Sequence, residues 1–166
     1  MTDARSDLGE DGMDCSDKQQ SVPVAESHEE SGARMRVVLL LENDLFFGVR
    51  IADTLKHAGF RVISAPTFAK FAQAMRIDVP DVAMVNCAIK GQDWQEALRF
   101  SAAVGVASVA YAPHVEADLQ SQARAAGATV VIANSRLAGD LVTVVTRAMR
   151  KQGGLDATAA NATLPD

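Results

Sequence analysis

Short apolar segments alternate five times with segments of helical periodicity between residues 34 and 151. Runs such as 36–41 are apolar almost throughout, which is typical of a strand that is buried on both faces of a sheet. The segments between the runs carry apolar residues three and four positions apart, as amphipathic helices do. This alternation predicts an α/β fold, a doubly wound five-stranded parallel sheet with helices on both faces. We predict strands at 36–41, 60–64, 81–86, 106–110 and 129–133.

The two ends of the chain differ in composition from this central span. Residues 1–33 are rich in Asp, Glu, Ser, Gly and Gln and have almost no periodic apolar residues. Such a segment cannot bury enough surface to offset the entropy lost on ordering. Residues 152–166 are similar in character. We therefore expect a disordered acidic tail at 1–33, one folded domain at 34–151 and a disordered tail at 152–166.

Charge and cysteine content argue against several classes of function. The net charge of −5 disfavours nucleic acid as the main partner, because phosphate binding needs a basic face. No apolar run reaches the roughly 18 residues that a membrane span requires. The two cysteines, Cys15 and Cys87, form neither a disulfide framework nor a metal-ligand cluster. We expect a cytoplasmic protein that has no metal or cofactor and binds neither nucleic acid nor membrane.

Several local motifs lie where the carboxyl ends of the strands would gather functional residues. An acidic cluster at 42–44 follows the first strand, and the sequence LKHAGF at 55–60 would end the first helix. The segment PDVAMVN at 80–86 forms the third strand, and AAGA at 125–128 precedes the fifth. Together with the (βα)5 order, these motifs resemble the CheY-like receiver domains of two-component response regulators over about residues 35–151. The resemblance implies a flavodoxin-like sheet with strand order 2-1-3-4-5.

The resemblance also identifies the positions that carry phosphoryl chemistry in that family, and this chain departs from the family there. Asn86 occupies the phosphoacceptor position, where a neutral amide is a poor nucleophile. Glu42 and Asn43 occupy the acidic pair, so Asn43 and Asn86 remove two anionic Mg²⁺ ligands. Tyr111 stands at the hydroxyl position after the fourth strand, and Asn134 stands at the lysine position. These changes together predict a degenerate pseudo-receiver that is not an enzyme.

Residues that move on phosphorylation in the family are altered as well. The aromatic switch position is Val131, and a ring is found instead at Tyr111. We hypothesise that Tyr111 fills the space between the site and the fourth helix (residues 115–126) and holds one conformation. The alternative is that Tyr111 packs with its hydroxyl at the surface. We expect the neutral amides of Asn86 and Asn134 to face each other.

The last helix, predicted at 137–151, carries apolar residues on more than one side. When one side faces the sheet, Val142 and Met149 are predicted to lie off that side. Surplus apolar surface of this kind indicates an interface, here on the face formed by the fourth helix, the fifth strand and the last helix. We therefore expect Tyr111, Val131, Val142 and Met149 to be the switch and interface residues.

These observations favour a phosphorylation-independent pseudo-receiver, a protein–protein interaction module in bacterial signalling or regulation. It would act through that face, by binding a protein partner or by self-association. Two alternatives stay open. One is a phosphoacceptor response regulator that uses a displaced acid, Asp44 or Asp93. The other is a flavodoxin-like domain that binds a small ligand in the vacated pocket.

Overall fold

The computed structural model describes the backbone of residues 34–160 and the side chains of residues 34–153. Residues 1–33, which we expect to be disordered, and residues 161–166 lie outside the described part of the chain. Ten elements alternate along the described part: β1 (Val37–Leu41), α1 (Leu45–His57), β2 (Arg61–Ala65), α2 (Phe68–Ile77), β3 (Val82–Asn86), α3 (Trp94–Ala103), β4 (Ala107–Ala112), α4 (Ala117–Ala125), β5 (Val130–Ala133) and α5 (Asn134–Ala160).

The five strands form one parallel sheet in the order β2-β1-β3-β4-β5. This confirms the predicted strand order and fold class. All five strands lie within two residues of their predicted bounds. The apolar runs mark the strands well because a parallel strand that is buried on both faces has apolar side chains at nearly every position. The order makes β1, β3 and β4 adjacent at the centre of the sheet, so residues that follow these strands meet at one edge.

Two apolar cores lie on the two faces of the sheet. One core, which we call the α1–α5 core, contains Leu40, Met84 and Val109 together with residues of α1 and α5. The core on the opposite face is formed with α2, α3 and α4 and contains Leu41 and Val85. Because successive side chains of a strand point to opposite faces, this alternation determines which core each strand-end residue faces.

Helix α5 differs most from its prediction. It begins at Asn134, directly after β5, and its backbone is helical to Ala160, so the predicted domain end at residue 151 lies inside the helix. A glycine costs only about 1 kcal/mol relative to alanine within a helix, and the alanines at 157, 159 and 160 favour continuation. The helix is kinked at Asp140, whose φ of −127° and ψ of 23° are not helical. None of the described helices has the length and apolar composition needed to cross a membrane.

Candidate functional site

The carboxylate of Glu42 lies at the carboxyl end of β1 and accepts hydrogen bonds from three groups. The Asn86 Nδ2 group donates to Oε1 at 3.0 Å and to Oε2 at 2.9 Å. The Tyr111 hydroxyl donates to Oε2 at 3.0 Å, and the Asp44 backbone N–H donates to Oε1 at 3.0 Å. Glu42 is only 6% exposed, and these donors compensate the loss of water around its charge.

Strand register explains why these residues meet. Asn86 at the end of β3 is paired with Tyr111 in β4, and Leu41 at the end of β1 is paired with Val85. Glu42 is the next residue after Leu41, so it lies beside Asn86. Since alternate residues of a strand share a face, Glu42, Asn86 and Tyr111 all point to the side of the α1–α5 core.

Tyr111 is completely buried. Its ring packs in the α1–α5 core, 6.0 Å from the Phe47 ring centroid at an interplanar angle of 49°. The alternative that its hydroxyl lies at the surface is therefore wrong. The predicted position between the site and α4 is also wrong, because Tyr111 shares the strand face of Val109 and α4 packs on the other face.

The environment of Tyr111 keeps its hydroxyl protonated. Burial raises its pKa well above the usual value, and the charge of Glu42 and the hydrogen bond to that carboxylate raise the pKa further. Burial also raises the pKa of Cys87 to about 12, although a backbone hydrogen bond with Tyr111 lowers it. A thiol with this pKa is almost entirely protonated at neutral pH, so Cys87 is a poor nucleophile.

Two residues in the first turn of α1, which sequence reasoning missed, lie against the side chains of Tyr111 and Glu42. Phe47 packs its ring against Tyr111. A Cβ atom on Gly48 would lie 3.3 Å from Cγ of Glu42, so the absence of a side chain lets α1 approach the buried carboxylate. The signal available in the sequence was a glycine within the first turn of a helix that directly follows an acidic cluster.

Asn43 and Asn134, the other two amides of the expected phosphorylation site, do not hydrogen-bond to the carboxylate of Glu42. Asn43 is exposed at the surface. Asn86 uses Nδ2 for Glu42 and accepts a hydrogen bond from the Ala88 backbone N–H at Oδ1, 2.8 Å away. Oδ1 of Asn134 is buried and has no hydrogen-bond partner among the described residues. The amides of Asn86 and Asn134 therefore do not hydrogen-bond to each other.

These residues do not fit the Mg²⁺ ion that the family resemblance implies. Both carboxylate oxygens of Glu42 and the Oδ1 atom of Asn86 already accept hydrogen bonds from the protein. Mg²⁺ is usually held through one or two carboxylates, and the carboxylate of Glu42 is already used by the protein while Asn43 and Asn86 offer only neutral amides. Within residues 34–153, no group of three or more His, Cys, Asp or Glu side chains is arranged to hold a metal ion.

The two acids considered as displaced phosphoacceptors have other roles. Asp44 caps α1 by accepting a hydrogen bond from the Phe47 backbone N–H at 3.0 Å. Asp93 caps α3 by accepting one from the Glu96 backbone N–H at 2.9 Å. Both side chains are exposed helix caps, a position that stabilises a helix by about 1 kcal/mol.

The residues expected to form an apolar interface are half-buried. Val142 and Met149 pack against the α1–α5 core, so the prediction that they lie off the buried side of α5 is wrong. Val131 packs against the opposite core. Each of the two is the neighbour of a buried residue of α5, Leu141 or Ala148, so both lie at the border of the buried side of the helix. The exposed large apolar side chains described in the structure are instead Met35, Leu45, Phe46, Val49, Ile77, Val79 and Val104.

Comparison with known proteins finds likeness at the level of structure. No protein-family model and no curated protein matches the sequence. A CheY-like response regulator receiver domain protein from Methanospirillum hungatei has a TM-score of 0.66 at 15% identity, with 72% of this chain and 98% of that chain covered.

Two further solved structures were determined in activated or phosphorylated states. The BeF3-activated receiver domain of RstA from Klebsiella pneumoniae has a TM-score of 0.64 at 16% identity, covering 69% of this chain and 99% of that chain. A response regulator from Burkholderia pseudomallei, solved with a phosphorylated aspartic acid, a calcium ion and citrate, has a TM-score of 0.63 at 11% identity, with coverages of 78% and 75%. The chain therefore has the fold of CheY-like response-regulator receiver domains.

Proposed function

We propose that this chain is a phosphorylation-independent pseudo-receiver that acts as a protein–protein interaction module in bacterial signalling. The observation that carries the proposal is the pair of hydrogen bonds from Asn86 Nδ2 to the buried carboxylate of Glu42. The residue at the phosphoacceptor position is thus a donor that neutralises part of the local negative potential. In a receiver domain that accepts a phosphoryl group, the residue at this position would instead be a second carboxylate beside the one at Glu42.

Phosphoryl transfer to this site faces two chemical obstacles. The Asn86 amide has no anionic oxygen to attack phosphorus. The oxygen atoms of Glu42 and Asn86 that would hold a divalent cation are occupied by protein donors. Without an acceptor and without a cation to offset the charge of the phosphoryl group, the site does not support phosphoryl transfer, which leaves binding through another surface as the way the domain acts.

The hydrogen bonds at Glu42 also favour a single conformation. They join the end of β1 to β3 through Asn86 and to β4 through Tyr111. A buried carboxylate that loses one of these donors keeps its desolvation cost, so alternative arrangements are disfavoured. A domain held in this way presents a constant surface to its partner.

The partner in this proposal is another protein or a second copy of the chain, bound in the cytoplasm on the α4-β5-α5 face. The structure changes the reason for choosing this face. Val142 and Met149 are half-buried, whereas Arg147, Arg150 and Lys151 are exposed along α5. Charge complementarity, rather than surplus apolar surface, would guide binding there.

Incubation of the purified full-length chain with Mg²⁺ and acetyl phosphate, followed by intact-mass measurement, tests the proposal. The wild-type chain is expected to keep its unmodified mass, while a functional receiver domain in the same buffer gains a phosphoryl group. Two variants serve as internal comparisons: Asn86→Asp, and a triple variant with Asn43→Asp, Asn86→Asp and Asn134→Lys.

The outcomes separate the possible explanations. An adduct on the triple variant but not on the wild type would show that the scaffold is competent and that the substituted residues abolish the chemistry. An adduct on the wild-type chain, mapped by peptide analysis to Asp44 or Asp93, would overturn the proposal and identify a displaced acceptor.

A further inference from the structure

The charge of the folded domain is opposite in sign to that of the whole chain. Residues 1–33 contain nine acidic and two basic residues, whereas residues 34–153 contain fourteen basic and ten acidic residues. The net charge of −5 therefore hides a positively charged domain.

Part of this positive charge lies at the edge of the sheet opposite the Glu42 site. Helix α5 runs back from the carboxyl edge of β5, so its residues 149–153 lie beside Arg36 and Asp81 at the amino ends of β1 and β3. Two open clefts flank it there. One, of about 370 Å³, is lined by Arg36 and Arg150, and the other, of about 450 Å³, by Arg124 and Lys151. Gln152 lines both clefts, so they are neighbours across the helix.

These four cations have no ion-pair partner among the side chains described through residue 153. The carboxylates in the connection between α2 and β3 at this edge are already paired. Asp81 is 2.7 Å from an Arg34 nitrogen and also accepts a hydrogen bond from the Val37 backbone N–H at 2.7 Å. Asp78 is paired with Arg61. Within the described part of the chain, four exposed cations at this edge are therefore unpaired.

We propose that the paired clefts bind an acidic segment of a partner protein, with carboxylates of Asp or Glu in each cleft and the segment crossing α5 at Gln152. This inference rests on the proposed function, because it names the chemistry of the partner. The clefts also contain Met149, the methyl-bearing Thr146 and Ala128. This mixture of apolar and cationic groups suits a peptide.

A nucleic acid fits the same surface less well. Specific and non-specific nucleic-acid binding uses many closely spaced cations along a phosphate backbone. Here the cations are divided between two clefts, and the Asp81 carboxylate lies in one of them. A peptide can position its acidic side chains around that carboxylate, whereas a continuous phosphate backbone cannot.

Fluorescence anisotropy with the full-length chain tests the inference without any phosphodonor. The probe is a labelled peptide of alternating Glu and Ser, and the comparison probe is the matching peptide of Gln and Ser. Two variants remove the cations of one cleft each: Arg36→Gln with Arg150→Gln, and Arg124→Gln with Lys151→Gln. The control is Lys70→Gln with Lys90→Gln, which removes the same charge from exposed lysines elsewhere. Urea unfolding verifies that each variant is folded.

The expected result is binding of the Glu–Ser peptide only, with each cleft variant weaker by roughly tenfold and the control variant unchanged. Equal weakening in the control variant would overturn the inference, since it would show a general charge effect. Tighter binding of duplex DNA than of the peptide would overturn it in favour of a nucleic-acid site.

A further full-length variant tests whether the acidic residues of segment 1–33 compete with the peptide and so weaken its binding. Its nine acidic residues within 1–33 are replaced by Asn or Gln, so that no carboxylate of that segment acts as a competing anion. Failure of the peptide to bind this variant overturns the inference. The mass measurement of the proposed function does not depend on peptide binding, so failure of either proposal is recognised separately.

Discussion

The hydroxyl of Tyr111 donates a hydrogen bond of 3.0 Å to Oε2 of Glu42, a residue 69 positions earlier in the chain. Both side chains are buried, and the bond joins β4 to the end of β1. A hydrogen bond to a charged group is stronger than one between neutral groups, and its loss leaves the charge buried. This bond is therefore central to the stability of the site.

Tyr111→Phe is expected to lower the free energy of unfolding by about 1–3 kcal/mol. The substitution keeps the ring in the α1–α5 core and removes only the donor to Glu42. Urea unfolding at neutral pH measures the effect. A loss below about 0.5 kcal/mol, the range of an ordinary surface substitution, would show that the hydrogen bond contributes little.

Phe47 and Phe46 provide a matched pair on α1. Phe47 packs against Tyr111 in the α1–α5 core, while Phe46 is 85% exposed. Phe47→Ala is expected to cost about 2–4 kcal/mol because it opens a cavity, and Phe46→Ala is expected to stay within about 0.5 kcal/mol of the wild type. Thermal or urea unfolding compares the two, and similar losses would contradict the assigned packing.

Gly48→Ala tests the close approach of α1 to Glu42. A glycine-to-alanine change inside a helix normally stabilises by about 1 kcal/mol. At Gly48 the new methyl group would lie 3.3 Å from Cγ of Glu42, whose carboxylate is held by three donors and cannot easily move. We expect no gain or a net loss at Gly48.

Gly139→Ala is the control for this change, because no heavy atom lies within 4 Å of its added Cβ. It is expected to give the ordinary helix gain when unfolding free energies are compared. A gain of equal size at Gly48 would show that Glu42 is free to shift.

Alkaline pH should destabilise the domain through its buried acids. The pKa of Cys87 is raised from 9.0 to about 12, and that of Tyr111 is also raised. The unfolded chain loses these protons first, so the stability they contribute is present below about pH 9 and is lost as pH rises towards about 12. Cys87→Ala should reduce the decline by up to about 1.4 kcal/mol per pH unit. Parallel stability curves for Cys87→Ala and the wild type over this range would contradict the burial of the thiol.

The sheet was predictable from the sequence, but the contacts at its edge were not. Apolar runs such as 36–41 determine the strands, and the resemblance over residues 35–151 supplied their order. The position of the Tyr111 ring depends on strand parity, since it shares a face with Val109. Its hydrogen bond to Glu42 depends on the pairing of strands far apart in sequence, which periodicity does not report.

The last helix shows a second limit of sequence patterns. A helical projection placed Val142 and Met149 away from the sheet, but both pack against the α1–α5 core. A projection separates buried from exposed sides, whereas these two residues adjoin the buried Leu141 and Ala148 and lie at the border between the sides. Similarly, the net charge did not reveal the basic clefts, because residues 1–33 carry most of the excess negative charge.

Amide NMR spectra of the full-length chain, recorded with and without Mg²⁺ and beryllofluoride, test the central claim most directly. The RstA receiver domain was solved in a BeF3-activated state, and a site of that kind would respond to the same reagent. We predict unchanged amide resonances for Glu42, Asn86 and Tyr111, because their hydrogen bonds occupy the site. Saturable shifts at these three residues would contradict the claim and show that the domain still responds to a phosphoryl mimic.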